Sequence, residues 1–133
     1  MKRILVAYDG GDPARRALEA GIELADRFEA SISVVSVVPL HAGRMPIDPW
    51  DDRAVHAQEL QEAKQLLAEH GITAELLEPV GATAPTIERI AEEGGFDTIV
   101  VGSRGLSAVS RFLQGSVSEH VATHADATVV VVR

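Results

Sequence analysis

The first 38 residues, MKRILVAYDGGDPARRALEAGIELADRFEASISVVSVV, place two short apolar runs on either side of a longer segment with helical periodicity. Ile4–Tyr8 and Ser31–Val38 are apolar almost throughout, which favours strands covered on both faces, as in a parallel sheet. Between them Asp12 is a good N-cap and Pro13 a good first helical residue. Apolar residues then recur at three-and-four spacing, which predicts one buried helix face: Ala14, Ala17, Leu18, Gly21, Ile22, Ala25 and Phe28.

The same alternation of strands and helices continues to residue 133. Asp97–Val101 and Thr128–Val132 are further apolar strands, and Ile72–Glu78 alternates in the manner of a strand nearer an edge. Three more helical patterns lie between the strands, and Pro39–Asp51 is expected to be a surface loop. The helices are predicted from about Asp52 to His70, from Pro85 to Gly94-Gly95, and from about Ser116 onward.

This order predicts an α/β fold: a five-stranded, open, doubly wound, Rossmann-like parallel sheet with helices on both faces and strand order 3-2-1-4-5. We expect residues 1–133 to form a single domain, because no break in composition divides them. In such sheets ligands bind beyond the carboxyl ends of the strands, where the strand order reverses. The segments to examine are therefore Asp9-Gly10-Gly11, Pro39-Leu40 and Gly102-Ser103-Arg104-Gly105.

The composition excludes several classes of function. There are 12 Lys and Arg against 20 Asp and Glu, so the net charge of −8 argues against nucleic acid or a membrane surface as partner. Without cysteine there is no thiolate metal site and no cysteine nucleophile. The first apolar run is too short for a signal peptide, which predicts a cytoplasmic protein. Only Lys2 and Lys64 are lysines, so the acidity suits a salt-rich cytoplasm, with ordinary acidity as the alternative.

A spaced set of glycines predicts a phosphate-binding site. From Gly102 the sequence follows G-x2-G-x9-G-S, ending at Gly115 and Ser116. Glycines after a strand let backbone N–H groups approach an anion, and a helix N-terminus favours phosphate. We expect Ser116 at such an N-terminus, where it also has capping-box spacing to Glu119. The alternative is that Ser116 only caps the helix and that Gly102 and Gly105 only allow the chain to turn.

These residues resemble the universal stress protein family along nearly the whole chain. The resemblance rests on Ile4-Leu-Val-Ala-Tyr-Asp-Gly10, Val80-Gly81, Val100-Val-Gly-Ser-Arg-Gly105, Gly115-Ser-Val-Ser-Glu-His-Val121 and the closing Ala127–Arg133. It implies a fold like that of the adenine nucleotide alpha hydrolases. It also implies binding of ATP, with Mg²⁺ or Mn²⁺ as an accompanying ion, because the G-x2-G-x9-G-S pattern of the family's ATP-binding branch is complete here.

The resemblance also implies a role for each site residue. Asp9 would face the ribose and the adenine, and Val37 would hold the adenine through its backbone N–H and C=O. Gly102 and Gly105 would contact the ribose and phosphates. Gly115 and Ser116 would take the phosphates, with Val117 beside them. Gly11 stands where the family often has serine, so one hydroxyl is missing on that side of the site.

Other candidate residues have a plain alternative. Asp9 ends a buried strand at the expected switch point, yet it could be only a turn or capping aspartate. Arg104 has the planar fork that suits phosphate, or it is a solvated loop residue. His120 and His124 have metal-ligand spacing on a helix, but no third ligand is evident, so we interpret them as ordinary helix residues and predict no metal site.

The function predicted from these observations is a nucleotide-binding module of the stress response, which binds ATP with little or no turnover. The alternatives are a slow ATPase and a ligand-free dimeric protein that binds a partner. No Walker-type Gly-Lys-Ser/Thr and no G-x-S-x-G is present, and the motif contains no lysine. Thr128–Val132 is an uninterrupted apolar strand expected at the sheet edge, which predicts a homodimer through the C-terminal strand.

Overall fold

A computed structural model describes the backbone of residues 1–39, 49–103 and 110–133, and the side chains of residues 1–38, 57–103 and 117–133. Strands and helices alternate along the chain, with two very short strands inserted. The elements are β1 Arg3–Ala7, α1 Asp12–Phe28, β2 Ser31–Val35, β3 Val38–Pro39, α2 Pro49–Glu69, β4 Glu75–Leu77, β5 Val80–Gly81, α3 Thr83–Glu93, β6 Thr98–Gly102, α4 Ser110–His124 and β7 Thr128–Val132.

Five strands form one sheet in the order β4-β2-β1-β6-β7, and all neighbours in it are parallel. Numbered among themselves along the chain, these strands have the order 3-2-1-4-5, so the predicted fold class is confirmed. β1 is the central strand and pairs with β2 and β6. The strand order therefore reverses at β1, and the carboxyl ends of β1 and β6 lie side by side.

Helices cover both faces of the sheet, because each central strand is apolar on both sides. Ile4 and Val6 pack with α1 and α2, whereas Leu5 packs with α3 and α4, and all three are 0% exposed. The predicted apolar face of α1 is buried as expected, except at its last residue. Phe28 is 54% exposed, because α1 ends there and Glu29 turns the chain away in the left-handed conformation.

Two short strands were not predicted. The second apolar run divides: β2 ends at Val35, and β3 pairs in parallel with β5 as a separate two-stranded sheet. Ser36 and Val38 donate backbone hydrogen bonds to Leu77 and Pro79, so the chain stays extended between the two sheets. Continuous apolarity records burial, and it does not reveal which neighbour each part of the run pairs with.

Three helix starts differ from the predictions. The N-cap of α1 is Gly11 and not Asp12, which is already helical and lies in the first turn, where the helix dipole favours an acid. α3 begins at Thr83, two residues before Pro85, and α2 begins at Pro49 instead of Asp52. In each case a proline stands inside the first turn, where its missing N–H removes no helical hydrogen bond.

The largest difference concerns α4, which begins at Ser110 and not near Ser116. Gly115 and Ser116 are thus the sixth and seventh residues of the helix, and the capping-box prediction for Ser116 and Glu119 is wrong. The helix extends through Gly115 because an isolated glycine is tolerated inside a helix at a cost of about 1 kcal/mol.

Among the helices within the described ranges, none combines the length and the apolarity that crossing a bilayer requires.

Gly21 tests the close packing of α1 on the central strand. A Cβ atom built there would lie 2.6 Å from Cγ2 of Val6. Helix propensity alone predicts that Gly21→Ala stabilises the protein by about 1 kcal/mol. We expect the opposite sign, a loss of about 1–3 kcal/mol from overpacking, measured by urea unfolding. Glu19→Ala, at an exposed position of the same helix, is the control and should change little. A stabilised Gly21→Ala variant would contradict the packing.

Candidate functional site

The candidate site lies where β1 ends beside β6. Asp9-Gly10-Gly11 leads from β1 into α1, and Gly102 is the last residue of β6. In register, Val6 pairs with Val100, so Tyr8 stands opposite Gly102. A Cβ atom on Gly102 would lie 3.0 Å from the backbone carbonyl of Pro13, so β6 ends directly against the start of α1. The first and second halves of the chain therefore meet at this edge.

The turn after β1 is held by its own backbone. The Asp9 carboxylate accepts a hydrogen bond from the backbone N–H of Gly11, and Gly10 has a φ of +87°, which favours glycine. Gly11 is extended and caps α1 without a side chain. The turn role foreseen as the alternative for Asp9 is thus present, and the same geometry holds its carboxylate at the end of the central strand.

Glu59 of α2 is a site residue that the sequence reasoning missed. A Cβ atom on Gly10 would lie 2.5 Å from Cγ of Glu59, so this side chain lies directly over the turn. Its signal was present in the sequence, because Glu59 precedes Ala63 by four residues and therefore stands on the apolar stripe of α2. A charged residue on the inward face of a helix is unusual, and such residues are often functional.

Burial raises the pKa values of both carboxyl groups, and repulsion by neighbouring carboxylates adds to the rise at Glu59. Desolvation raises the pKa of Asp9 to about 6, against the opposing effect of its backbone hydrogen bonds. Desolvation, followed by the charges of Asp9 and Glu62, raises the pKa of Glu59 to about 7, although a hydrogen bond with Ser36 favours the ionised form. This edge of the sheet therefore holds carboxyl groups that change charge near neutral pH.

Val37 lies beside this turn, just beyond the end of β2. The N–H groups of Ser36 and Val38 point to the side of β4 and β5, where they bond Leu77 and Pro79. Alternate residues of an extended segment direct their backbone groups to opposite sides, so the N–H and C=O of Val37 point towards β1. In register, Val37 stands opposite Asp9, since Ala7 pairs with Val35.

The glycine pattern is only partly described. Gly102 ends β6 as expected, while Arg104 and Gly105 lie outside the described residues. Gly115 and Ser116 belong to α4, and only their backbone is described. Val117 is partly buried and packs against the α3–α4 side of the core. The structure thus brings Asp9, Val37 and Gly102 to one edge and adds Glu59 to them.

A surface cavity of about 890 Å³ lies elsewhere, at the amino ends of the strands. It is lined by the second half of α1, the start of β2 and the segment from His70 to Thr73. None of the candidate residues lines it, so it is separate from the site at the carboxyl edge.

Comparison with known proteins gives a consistent match. The sequence model of the universal stress protein family matches residues 1–133. A universal stress protein of Bacillus subtilis is 33% identical over an alignment of 150 positions, gaps included, which covers 98% of this chain and 98% of the relative.

Solved structures match the fold over its full length. A universal stress protein from Archaeoglobus fulgidus in complex with dAMP is 26% identical, with a TM-score of 0.78 over 100% of this chain and 98% of that one. A universal stress protein in complex with cAMP is 25% identical, with a TM-score of 0.77 over 99% of this chain and 97% of the other.

The raised pKa of Glu59 predicts a pH-dependent effect of Glu59→Gln. The Glu59 carboxyl group binds its proton more tightly in the folded protein than in the unfolded chain. Its contribution to the free energy of unfolding is therefore complete below pH 4.5 and is lost as the pH rises through about 7. We expect Glu59→Gln to be more stable than the wild type by about 1–2 kcal/mol at pH 8, a value reduced for partial exposure, with a smaller difference at pH 5.

Urea unfolding at the two pH values measures this difference. Glu69→Gln, at an exposed position of the same helix, controls for the loss of one negative charge. An equal effect of Glu59→Gln at pH 5 and pH 8 would show that the carboxyl group titrates normally.

Proposed function

Since this chain belongs to the universal stress protein family over residues 1–133, we propose that it is a nucleotide-binding regulatory module that holds ATP at the carboxyl edge of its parallel sheet. The observation that carries the proposal is the juxtaposition of Val37, Asp9 and Gly102 at the ends of three adjacent strands. This is the switch point at which open parallel sheets bind their ligands.

The Val37 side of the site takes the adenine. A purine with an exocyclic amino group presents a donor and an acceptor on one edge, which match a backbone C=O and N–H. Asp9 stands opposite Val37, and its carboxylate accepts hydrogen bonds from ribose hydroxyls. Two of the matched universal stress protein structures are complexes with dAMP and with cAMP, which supports an adenine nucleotide as the ligand class.

Charge directs the phosphates away from the carboxylates. Four carboxyl groups lie close together around the turn after β1 and repel a polyphosphate there, those of Asp9, Glu59, Glu62 and Glu78. The resemblance to the family assigns the phosphates to the glycine pattern that begins at Gly102, on the other side of β1 from Val37. Mg²⁺ or Mn²⁺ accompanies the nucleotide and offsets the remaining negative charge.

The same residues argue for binding without rapid turnover. Hydrolysis needs a positioned water and cationic stabilisation of the γ-phosphate. The glycine motif contains no lysine, and the two carboxyl groups at this edge, those of Asp9 and Glu59, are assigned to the adenine and ribose side, away from the γ-phosphate. A slow ATPase remains the alternative activity of this site, and phosphate release distinguishes the two.

Calorimetry with ATP and Mg²⁺ tests the site. We expect Gly115→Val to abolish measurable binding, because its side chain occupies the space that the phosphates approach, while a β-branched residue inside a helix leaves the fold intact. Asp9→Asn weakens an ionic hydrogen bond to a neutral one, and we expect about a tenfold loss of affinity.

Ala122→Val is the matched control. It places the same β-branched side chain at an exposed position of the same helix, away from the glycine pattern. ATP affinity equal to that of the wild type in Gly115→Val would overturn the site. Steady phosphate release of about 1 per second would assign the protein to the ATPases.

We further propose that the protein is a homodimer through β7. β7 pairs only with β6 among the described strands and forms the sheet edge, and Val131 is 44% exposed there. The N–H of Thr128 bonds Asp97 and the carbonyl of Val132 accepts from Ser103, so even-numbered residues of β7 face β6. The backbone groups of Val129 and Val131 therefore point to the open edge, where a second copy pairs antiparallel.

This alternation identifies the variant that tests the dimer. Proline at Val130 or Val132 would remove a donor that faces β6, so it would disturb the chain itself. Val131→Pro removes a backbone donor at the open edge of each copy. Twofold symmetry doubles the loss of dimerisation free energy to about 2 kcal/mol, which raises the dimer dissociation constant more than tenfold. Light scattering measures the mass. Val131→Thr, which keeps the N–H, should stay dimeric, and a 14.2 kDa wild type at micromolar concentration would overturn the proposal.

A further inference from the structure

We propose that Glu88, His120 and His124 bind one divalent transition-metal ion of the Zn²⁺ class, at a site separate from the proposed nucleotide site. Glu88 belongs to α3, and the two histidines belong to the second half of α4. The cluster lies on the α3–α4 side of the sheet and towards its amino edge, because α4 ends at His124 before the chain enters β7.

The third ligand comes from a distant part of the chain. His120 and His124 are one turn apart, with their rings stacked at a centroid distance of 4.0 Å and an interplanar angle of 19°. Glu88, 32 residues before His120, places its Oε1 atom 2.6 Å from Nδ1 of His120. This separation in sequence is why the sequence showed no third ligand for the histidine pair.

The spacing of the ligand atoms suits a tetrahedral ion. One ligand atom from each of the three residues can be chosen so that all lie within 4.8 Å of one another. Zinc ligands at about 2.0–2.1 Å from the metal stand about 3.3 Å apart in a tetrahedron. Small rotations of the side chains therefore bring the three atoms to metal-binding distances, without movement of either helix backbone.

A hydrogen bond also prepares His124 for a metal. Its Nδ1 atom lies 2.9 Å from the backbone carbonyl oxygen of His120. A carbonyl oxygen only accepts, so Nδ1 carries the proton and the Nε2 atom of the neutral ring keeps its lone pair. Metal-binding histidines are commonly held in this way, with one ring nitrogen bonded to a backbone carbonyl and the other free for the ion.

The surroundings give a cation access. A surface cavity of about 500 Å³ is lined by Glu88 and His124, together with the acidic residues Glu92, Asp97 and Asp126. The side chains of His120 and Glu88 are 41% and 20% exposed, so water can fill a fourth position. The excess of carboxylates around the cavity attracts a cation to it.

The donor set selects the class of metal. Two imidazoles and one carboxylate suit Zn²⁺, Cu²⁺ and Ni²⁺, whereas Mg²⁺ and Ca²⁺ prefer oxygen ligands alone. Zn²⁺ adopts this set readily, with three protein ligands and a water molecule. The ion would join α3 to α4, so its binding should also stabilise the folded protein.

Titration of tag-free, nucleotide-free protein with ZnCl₂ tests the site by calorimetry, and the result is independent of ATP binding. We expect one equivalent to bind and the melting temperature to rise with Zn²⁺. His120→Gln, His124→Gln and Glu88→Gln should each lower the affinity at least about tenfold. His70→Gln is the matched control, an exposed histidine at the end of α2, and should leave the affinity unchanged.

Cobalt provides a second readout that a structural role would not affect. Co²⁺ at the proposed site should give the intense visible absorption of a tetrahedral ion, and each of the three variants should lose it. Absence of saturable Zn²⁺ binding by the wild type would overturn the proposal. Affinity retained in any one of the three variants would overturn it equally, because the proposed site requires all three ligands.

Discussion

The burial of β1 on both faces is the constraint on which the rest of the structure depends. Ile4, Leu5 and Val6 are completely buried, so neither side of the central strand can face water. Helices must therefore cover both faces, and crossover connections must carry the chain from one parallel strand to the next. Gly21 shows how closely this covering packs, because its missing side chain lets α1 approach Val6.

The same constraint creates the candidate site. β1 pairs with β2 on one side and with β6 on the other, so the strand order reverses at β1. Ligands bind at the carboxyl end of such a strand, and Asp9 stands there. Asp9 and Glu59 are drawn into a partly dehydrated region together, which raises both pKa values towards neutrality. The energy that this arrangement costs is supplied by the apolar packing around β1.

α4 connects two regions of different chemistry. Its first half carries Gly115 and Ser116 of the glycine pattern, and its second half carries His120 and His124. The buried Val121, next to His120 in the second half, anchors the helix to the core. One helix can serve both regions because its periodicity separates a buried face from faces that remain open to solvent.

The sequence by itself determined the fold class, because apolar runs and helical periodicity record burial directly. Its motifs determined the family, and the strand order was predicted from the doubly wound arrangement typical of that fold class. It also indicated Asp9 and Gly102, which follow or end buried apolar strands, and the resemblance to the family added Val37. The tertiary structure alone decided that Glu59 covers Gly10, that Glu88 meets His120, and that Val129 and Val131 present the free backbone edge of β7. The start of α4 at Ser110 belongs to the same group. Each of these depends on how separate elements pack or on where a helix can extend through a glycine, and local periodicity contains no information about contacts between residues distant in the chain.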